Sequence, residues 1–368
     1  MGIFRFALAF LVVLQHIIHF PGIGKFAVTS FFLLSGYLMT CICVRNYGYG
    51  FAGFTRFWAN RMLRLYPAYF VTLALTVIAM TLLGAQTFSD YRSAIYMPQG
   101  ASEWVPVLSM VYPAYMPYEV TPRLAPATWA LTTELFYYLL ISLGLSRSVR
   151  LSWIWFAAAL AYTVTGILNG QGLHWSYYPV TSGALPFAAG ALVYHHKDTI
   201  MRVADRAGLS GNRRCLGVMG TSVVVLVGFA LASRIPNALD MSAGAEGRTI
   251  SVLLAASAVP SVIALVACLR LRLSGRLKSF DATLGDFSYP VYISHWTFAA
   301  IAAWIVGSDG PGRSVDALVT LAVSVPLMIA FCILLQRFID PPVQRLRDRI
   351  RPTKAAPKEQ PHLRHQAP

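Results

Sequence analysis

The chain has few charged residues for its length. Only 12% of its 368 residues are Asp, Glu, Lys or Arg, roughly half the fraction usual in soluble domains. Acidic residues are the rarer kind, with 15 Asp and Glu against 30 Lys and Arg. This deficit argues against a mainly water-soluble protein and is typical of a chain whose side chains largely face lipid, where charge is costly.

Cysteine is also scarce and follows no functional spacing. The chain has five cysteines, with no CxxC pair and no other metal-ligand spacing among them. We therefore predict small core residues rather than a redox motif, and we predict no metal site. The five positions are Cys41, Cys43, Cys215, Cys268 and Cys332.

The excess of basic residues gives a formal net charge of +15. A strongly basic chain can indicate nucleic-acid binding. Here the Lys and Arg residues lie between hydrophobic runs, so membrane topology explains the excess better. We therefore expect the lipid bilayer as a partner and no nucleic acid.

Long hydrophobic runs are what the sequence has in abundance. Hydrophobic residues make up 56% of the chain, and a membrane span needs about 20 mostly apolar residues in succession. We predict an all-α integral membrane protein with about ten transmembrane helices. The predicted spans are 3–20, 26–45, 66–84, 126–146, 151–168, 177–196, 215–233, 249–270, 286–306 and 315–336.

The connections between these spans alternate in charge. Of the 30 Lys and Arg residues, 24 fall on one side of the membrane and 6 on the other. The positive-inside rule places the richer side and both termini in the cytoplasm. We predict a transmembrane domain over 1–342 and a basic, disordered cytoplasmic tail over 343–368. The six external residues are Lys25, Arg92, Arg123, Arg234, Arg248 and Arg313.

The longest predicted external connection, about residues 85–125, is aromatic and mildly acidic. It contains Trp104, Tyr112 and Tyr118 together with Asp90 and Glu119. Aromatic faces with a few carboxylates suit carbohydrate, but they also suit a loop lying on the membrane surface. Both interpretations stay open at this point.

Ionisable residues within predicted spans are candidates for function, because burying them in lipid is expensive. Arg5 and His16 are eleven residues apart, which places them on one helix face about 16 Å apart along the axis. The helical rise also places His16, Ser35 and Glu134 in about the same layer. We therefore predict His16 as a general base and Glu134 as a carboxylate that orients it.

Each of these residues also has an ordinary structural explanation. A histidine in a span often hydrogen-bonds a neighbouring helix, and this applies to both His16 and His295. Ser35 and Gly36 together are typical of close helix packing. Glu134 could be the structural partner of an arginine.

A basic segment, FTRFWANRMLRLYPAY, precedes the third predicted span. Arg61 and Arg64 are three residues apart, so a helix would place both guanidinium groups on one face. Such a pair suits a phosphate ligand, because each arginine offers a two-pronged set of donors. The alternative is ordinary anchoring on the cytoplasmic side.

Five motifs in the same order resemble the acyltransferase 3 family of bacterial membrane acyltransferases. The resemblance covers nearly all of residues 1–342; Asp340-Pro341 departs from it where the family often has Glu-Pro. The motifs are Arg5-x10-His16, Phe32-Leu-Leu-Ser35-Gly36, Arg61-Met-Leu-Arg64, Trp129-Ala-Leu-Thr-Thr-Glu134 and the segment Leu284–His295 that contains Tyr289.

The resemblance implies transfer of an acyl group, commonly acetyl, from cytoplasmic acyl-CoA to a hydroxyl of a cell-surface glycan or lipid-linked saccharide. It implies a multi-pass protein of the bacterial inner membrane, acyl-CoA as co-substrate and no bound cofactor. His16 would be catalytic, with or without a covalent acyl-histidine, and the Arg61 and Arg64 pair would lie near the CoA phosphates. We add Glu134 as catalytic and Arg5 as donor-binding; supporting roles fall to Ser35, Trp129, Tyr289 and His295.

Two other function classes fit the same polar residues. Histidine, glutamate and arginine within spans also form the proton relays of transporters or flippases. A membrane-embedded sensor or scaffold is a third class, although it would not need Arg5 and His16 at this spacing. Turnover of acyl-CoA by the purified protein, with His16→Ala as control, separates the enzyme from both.

Overall fold

The computed structural model describes residues 1–350, and within them the chain is helical with no β-strand. The first helices are α1 Gly2–Ile17, α2 Ile23–Ile42, α3 Phe51–Leu83, α4 Ala85–Tyr91, α5 Ala101–Ser109, α6 Trp129–Ser142, α7 Val149–Leu168, α8 Leu173–Ser176 and α9 Ala184–His195. They continue with α10 Lys197–Arg206, α11 Asn212–Ala232, α12 Ile235–Ala238, α13 Ala243–Ala256, α14 Ala258–Arg270, α15 Gly275–Val306, α16 Val315–Leu334 and α17 Asp340–Ile350.

Within residues 1–350, six helical segments are long and apolar enough to cross a membrane. The predictions of an all-α chain and of several apolar spans are therefore confirmed. The other four predicted spans contain α1, α6, α9 and α15, which fall outside these six, so the count of ten stays a prediction. The six segments are Ile23–Tyr47, Phe51–Leu83, Val149–Leu168, Asn212–Ala238, Ala243–Arg270 and Val315–Ile350.

Helix α3 extends well beyond the predicted span at its arginine-rich end. Helix α3 begins at Phe51 rather than near residue 66, and Pro67 lies inside it. The basic segment before the third predicted span is thus part of that helix. Hydropathy ends a predicted span at charged residues. In this helix, Arg61 and Arg64 line a cavity in the protein instead of facing lipid.

The prediction of a disordered tail is wrong for residues 343–350. These residues belong to α17, which packs against α3. The guanidinium group of Arg347 is buried and donates to the side-chain carbonyl of Asn60 at 3.3 Å. Two prolines near the start of α17 do not break it, because the first turn of a helix needs no backbone donors. The rest of the predicted tail, 351–368, lies outside the described residues.

Small residues bring α2 and α9 into close contact. A Cβ atom added to Gly36 would collide with the backbone carbonyl of Phe187, and one added to Gly190 with that of Leu33. Each helix therefore contributes a glycine where the other backbone approaches, as in membrane bundles with small residues at their interfaces. The packing interpretation of Gly36 is confirmed, and this contact holds Ser35 beside α6.

Helix α1 lies equally close to α15. A Cβ atom on Gly2 would collide with the backbone of Asp281, and the backbone N–H of Ile3 donates to the Asp281 carboxylate at 2.8 Å. These contacts tie the first turn of α1 to α15. The pairing of the two helices brings His16, nearly four turns further along α1, to His295 of α15.

Candidate functional site

Two cavities enter the helical assembly and meet at Val28 and Tyr292, which line both. The arginine cavity, of about 110 Å³, is lined by Arg5 and by residues of α2, α3, α6 and α15. The histidine cavity, of about 860 Å³, is lined by His16 and by the connections beyond the opposite end of α1. Arg5 and His16 share a helix, as predicted, but they open into different cavities.

His16 is paired with another histidine rather than with a carboxylate. Its Nδ1 atom lies 2.8 Å from Nε2 of His295, and Nδ1 of His295 lies 2.7 Å from the backbone carbonyl of Tyr292. A carbonyl only accepts, so Nδ1 of His295 carries the proton and its Nε2 is free to accept in the neutral ring. His16 then donates from Nδ1, which leaves its Nε2 lone pair available.

Nε2 of His16 has no hydrogen-bond partner among residues 1–350. The imidazole lines the histidine cavity, and its ring centroid lies 4.8 Å from that of Trp296. The chain from the Tyr292 carbonyl through His295 to His16 therefore fixes both the tautomer and the orientation of a base at the cavity wall.

The prediction that Glu134 orients His16 is wrong. The Glu134 carboxylate accepts hydrogen bonds from the hydroxyl groups of Ser35 and Tyr138, and it lines the arginine cavity. Helical rise estimates how deep a residue lies along its helix, but it does not determine which way the side chain points. The hydrogen bond of His16 faces α15, whereas Glu134 faces α2.

The three arginines that the sequence singled out share one cavity. Arg5, Arg61 and Arg64 all line it, so the expectation that Arg61 and Arg64 lie on one helix face is confirmed. Arg64 forms an ion pair with Asp286 at 3.5 Å, and the Arg61 guanidinium lies 5.8 Å from the centre of the Phe57 ring. Nε of Arg61 is buried and has no hydrogen-bond partner among the described residues.

An open recess of about 340 Å³ adjoins the arginine cavity. Arg61 and Arg64 line both spaces, and Arg347 of α17 lines the recess with Gln344. Arg347 is absent from the predicted site residues because it falls in the predicted disordered tail, 343–368. The spacing of Gln344, Arg347 and their neighbours in a helical pattern was the signal that could have placed it.

The remaining predicted residues divide between the two cavities. Trp129 lines the histidine cavity, with its ring 5.6 Å from that of Tyr118 and 5.3 Å from that of Tyr177. Tyr289 lines the arginine cavity and donates to the backbone carbonyl of Leu65 at 3.0 Å. Trp129 and Glu134 belong to one sequence motif, yet α6 carries them into different cavities.

Within residues 1–350, no group of three or more His, Cys, Asp or Glu side chains is arranged to hold a metal ion. The five cysteines form no disulfide bond. The polar side chains that line the two cavities carry imidazole, guanidinium, ammonium, amide, carboxylate and hydroxyl groups.

Comparison with known proteins gives the same assignment over almost the whole chain. The profile of an acyltransferase domain matches residues 1–337. "Acyltransferase MdmB" from Streptomyces mycarofaciens is 21% identical over 363 residues, which cover 93% of this chain and 86% of that protein. "Nodulation protein 10" from Rhizobium leguminosarum bv. viciae is 29% identical over 122 residues, 30% of each chain. No solved structure gives a significant match. The chain therefore belongs to the acyltransferase 3 family and is a membrane acyltransferase.

Proposed function

We propose that the protein transfers an acyl group, specifically acetyl, from cytoplasmic acyl-CoA to a hydroxyl of a cell-surface glycan or lipid-linked saccharide. The observation that carries this proposal is the pair of cavities that meet at Val28 and Tyr292. One cavity offers guanidinium groups for a phosphate-bearing donor, and the other offers an oriented imidazole to an acceptor. In this proposal the two substrates approach Val28 and Tyr292 from opposite sides.

The donor occupies the arginine side in this proposal. Arg61, Arg64 and Arg347 bind the phosphates of CoA in the open recess, because guanidinium groups form charge-assisted bonds with phosphate oxygens. The pantetheine arm then extends past Arg5 towards His16, a distance of about 16 Å along α1. The narrow arginine cavity suits a thin, extended chain better than a bulky ring.

The proposed acyl transfer uses only the two substrates, His16 and His295. Nε2 of His16 takes the proton of the acceptor hydroxyl, and the oxygen attacks the thioester carbonyl carbon. The carbon–sulfur bond breaks, and the leaving thiolate takes the proton from His16. The products are an ester and free CoA, and the neutral His16 and His295 pair is restored. His295 acts as a positioning residue because it holds the proton on Nδ1 of His16.

The proposal includes a ten-span arrangement in the bacterial cytoplasmic membrane with both termini in the cytoplasm. Its support is the distribution of Lys and Arg, since the sides that face Arg61 and His16 hold 24 and 6 basic residues respectively. The arginine recess then opens to the compartment where acyl-CoA is made. The histidine cavity opens to the opposite face.

A transporter or flippase that uses the same residues as a relay is the second candidate. The observation in its favour is that the two cavities share the lining residues Val28 and Tyr292. Such a protein would move a saccharide without breaking a thioester. It would therefore release no CoA.

The test is acyl transfer by the protein purified in detergent. The protein is mixed with radiolabelled acetyl-CoA and with saccharide extracted from cells that lack its gene. We expect free CoA and labelled saccharide in equal amounts, and neither with His16→Ala. Movement of saccharide across vesicles without release of CoA would instead establish the second candidate.

A further inference from the structure

Few basic residues are predicted on the external side of the membrane, and most of them line one cavity. Four of the six predicted external Lys and Arg residues line the histidine cavity: Lys25, Arg92, Arg234 and Arg313. The fifth, Arg123, is buried and donates to the backbone carbonyls of Tyr118 and Val120. The sixth, Arg248, is exposed on α13 and does not line the cavity.

The lining of the histidine cavity contains fewer carboxylates than cations. The cavity lining contains one carboxylate, Asp90, whose Oδ1 accepts from the side-chain amide of Gln86 at 2.5 Å. No ion pair within 4.0 Å joins any of the four to a carboxylate of residues 1–350. The cavity therefore holds a clear excess of positive charge, which a bound anion would balance.

The excess charge lies close to the base. The Arg92 guanidinium lies 5.2 Å from the Trp296 ring centre, and His16 lies 4.8 Å from the same ring, so the two groups are within about 10 Å. Arg92 donates to the Tyr118 hydroxyl at 3.2 Å, while its Nε atom is buried without a hydrogen-bond partner among the described residues. The Arg92 side chain therefore keeps an unpaired donor and lies within about 10 Å of the His16 ring.

Aromatic side chains form another wall of the same cavity. The rings of Tyr118 and Tyr178 stack with centroids 4.5 Å apart, and Trp129 and Tyr177 meet edge to face beside them. Aromatic faces suit the apolar faces of sugar rings, while guanidinium groups suit phosphate or carboxylate oxygens. A cavity with both kinds of side chain therefore suits a saccharide that carries negative charge.

We propose that the histidine cavity selects a saccharide acceptor with a phosphate or carboxylate group within one or two sugar units of the hydroxyl that is acylated. This inference rests on the proposed function and names the substrate class of its acceptor side. Arg92 binds the anion nearest to His16, and Lys25, Arg234 and Arg313 attract it into the cavity. A neutral saccharide would leave this charge unbalanced and would bind less well.

The test uses the full protein in vesicles of phosphatidylcholine, a zwitterion with no net charge, so that anionic lipid cannot occupy the basic residues. Saccharide from cells that lack the gene is separated into neutral and anionic fractions on an anion exchanger. Each fraction is mixed with radiolabelled acetyl-CoA and with wild type, Arg92→Gln, Arg234→Gln/Arg313→Gln or Arg248→Gln. Mild acid, which cleaves glycosyl phosphates, and chemical reduction of carboxylates then identify the anionic group.

We expect label in the anionic fraction. Arg234→Gln/Arg313→Gln should raise the KM for this acceptor about three- to tenfold, as expected for exposed charges, and Arg92→Gln about tenfold or more. Arg248→Gln should match wild type, and the KM for acetyl-CoA should not change in any variant. Loss of labelling after mild acid points to phosphate, and loss after reduction points to carboxylate.

Two results would overturn this inference while leaving the proposed function intact. One is equal labelling of the neutral fraction, and the other is an Arg234→Gln/Arg313→Gln protein that behaves like Arg248→Gln. Both arginines are exposed, so this variant tests binding even if Arg92→Gln fails to fold. Labelling of neither fraction would overturn the proposed acetyl transfer itself.

Discussion

His16 carries the proposed proton transfer because only its Nε2 remains without a partner in the histidine chain. His16→Ala removes the base, and His16→Asn removes it while keeping an amide donor close to the position of Nδ1. Both variants should reduce the rate of acyl transfer about 10²- to 10⁴-fold, the usual effect of losing a general base. The rate of labelled ester formation measures this, with thermal unfolding in detergent as a check on folding. Near-normal turnover in His16→Asn would rule out His16 as the base.

His295 should act through His16 rather than on the substrate. His295→Ala leaves Nδ1 of His16 without its acceptor, so kcat should fall about 10- to 100-fold while the KM for acyl-CoA stays unchanged. His295→Gln places an amide oxygen near the former Nε2 position and should restore part of the activity. A purely packing role predicts instead that His295→Gln and His295→Ala lose stability together, with no recovery of kcat.

Arg61 and Arg64 should contribute to donor binding. Charge-assisted hydrogen bonds are worth roughly 1.5–3 kcal/mol, so each Arg→Ala variant should weaken acyl-CoA binding about 10- to 100-fold. Arg→Lys should restore binding only in part, because lysine lacks the planar fork of donors. Titration with a non-hydrolysable acyl-CoA analogue measures the affinity.

Arg56 is the matched control for these variants, since it belongs to the same helix but is exposed and lines neither the arginine cavity nor the recess. Arg56→Ala should bind the analogue as wild type does. If Arg61→Ala and Arg64→Ala also bind normally, the pair serves only as a topological anchor. The donor would then bind elsewhere.

At the scale of the helix, the contact between α2 and α9 should tolerate no added side-chain atom. Gly36→Ala and Gly190→Ala each drive a Cβ into a backbone carbonyl, which is overpacking of the kind that costs about 1–3 kcal/mol. Gly217→Ala and Gly228→Ala are the controls, because these helical glycines of α11 have open space around the added atom. They should be neutral or slightly stabilising, since alanine favours a helix.

Thermal unfolding in detergent compares the four glycine variants. We expect Gly36→Ala and Gly190→Ala to unfold at lower temperature than wild type and both controls. Because α2 also holds Ser35 against Glu134, the first two variants should lose acyl transfer as well. Four indistinguishable unfolding temperatures would mean that the α2 and α9 backbones are further apart than described.

For the whole molecule, the charge distribution predicts which loops face the cytoplasm. A reporter fused near residue 100, in the connection between α4 and α5, should be active only outside the cytoplasm. A reporter fused near residue 205, in the amphipathic helix α10, should be active only inside it. The reverse result at either position would overturn the ten-span arrangement, and with it the assignment of the arginine recess to the cytoplasmic side.

The membrane class, the helical content and the enzyme family follow from local features of the sequence. Hydrophobic runs, the uneven distribution of Lys and Arg, and motifs such as Arg5-x10-His16 are all legible along one chain. Helical periodicity was also enough to place Arg61 and Arg64 on one face, because spacing within a helix depends only on the helix itself.

The partners of the polar residues depended on the tertiary structure. Helical rise gives the depth of His16 and Glu134 but not their direction, which is decided by how α1 packs on α15 and how α6 packs on α2. The start of α3 and the helix α17 were also not predicted from the sequence. Polar residues there line a cavity or bind a neighbouring helix instead of facing lipid, so hydropathy does not reveal them. The convergence of four scattered basic residues on one cavity is likewise a property of helix packing, since they come from four separate regions of the chain.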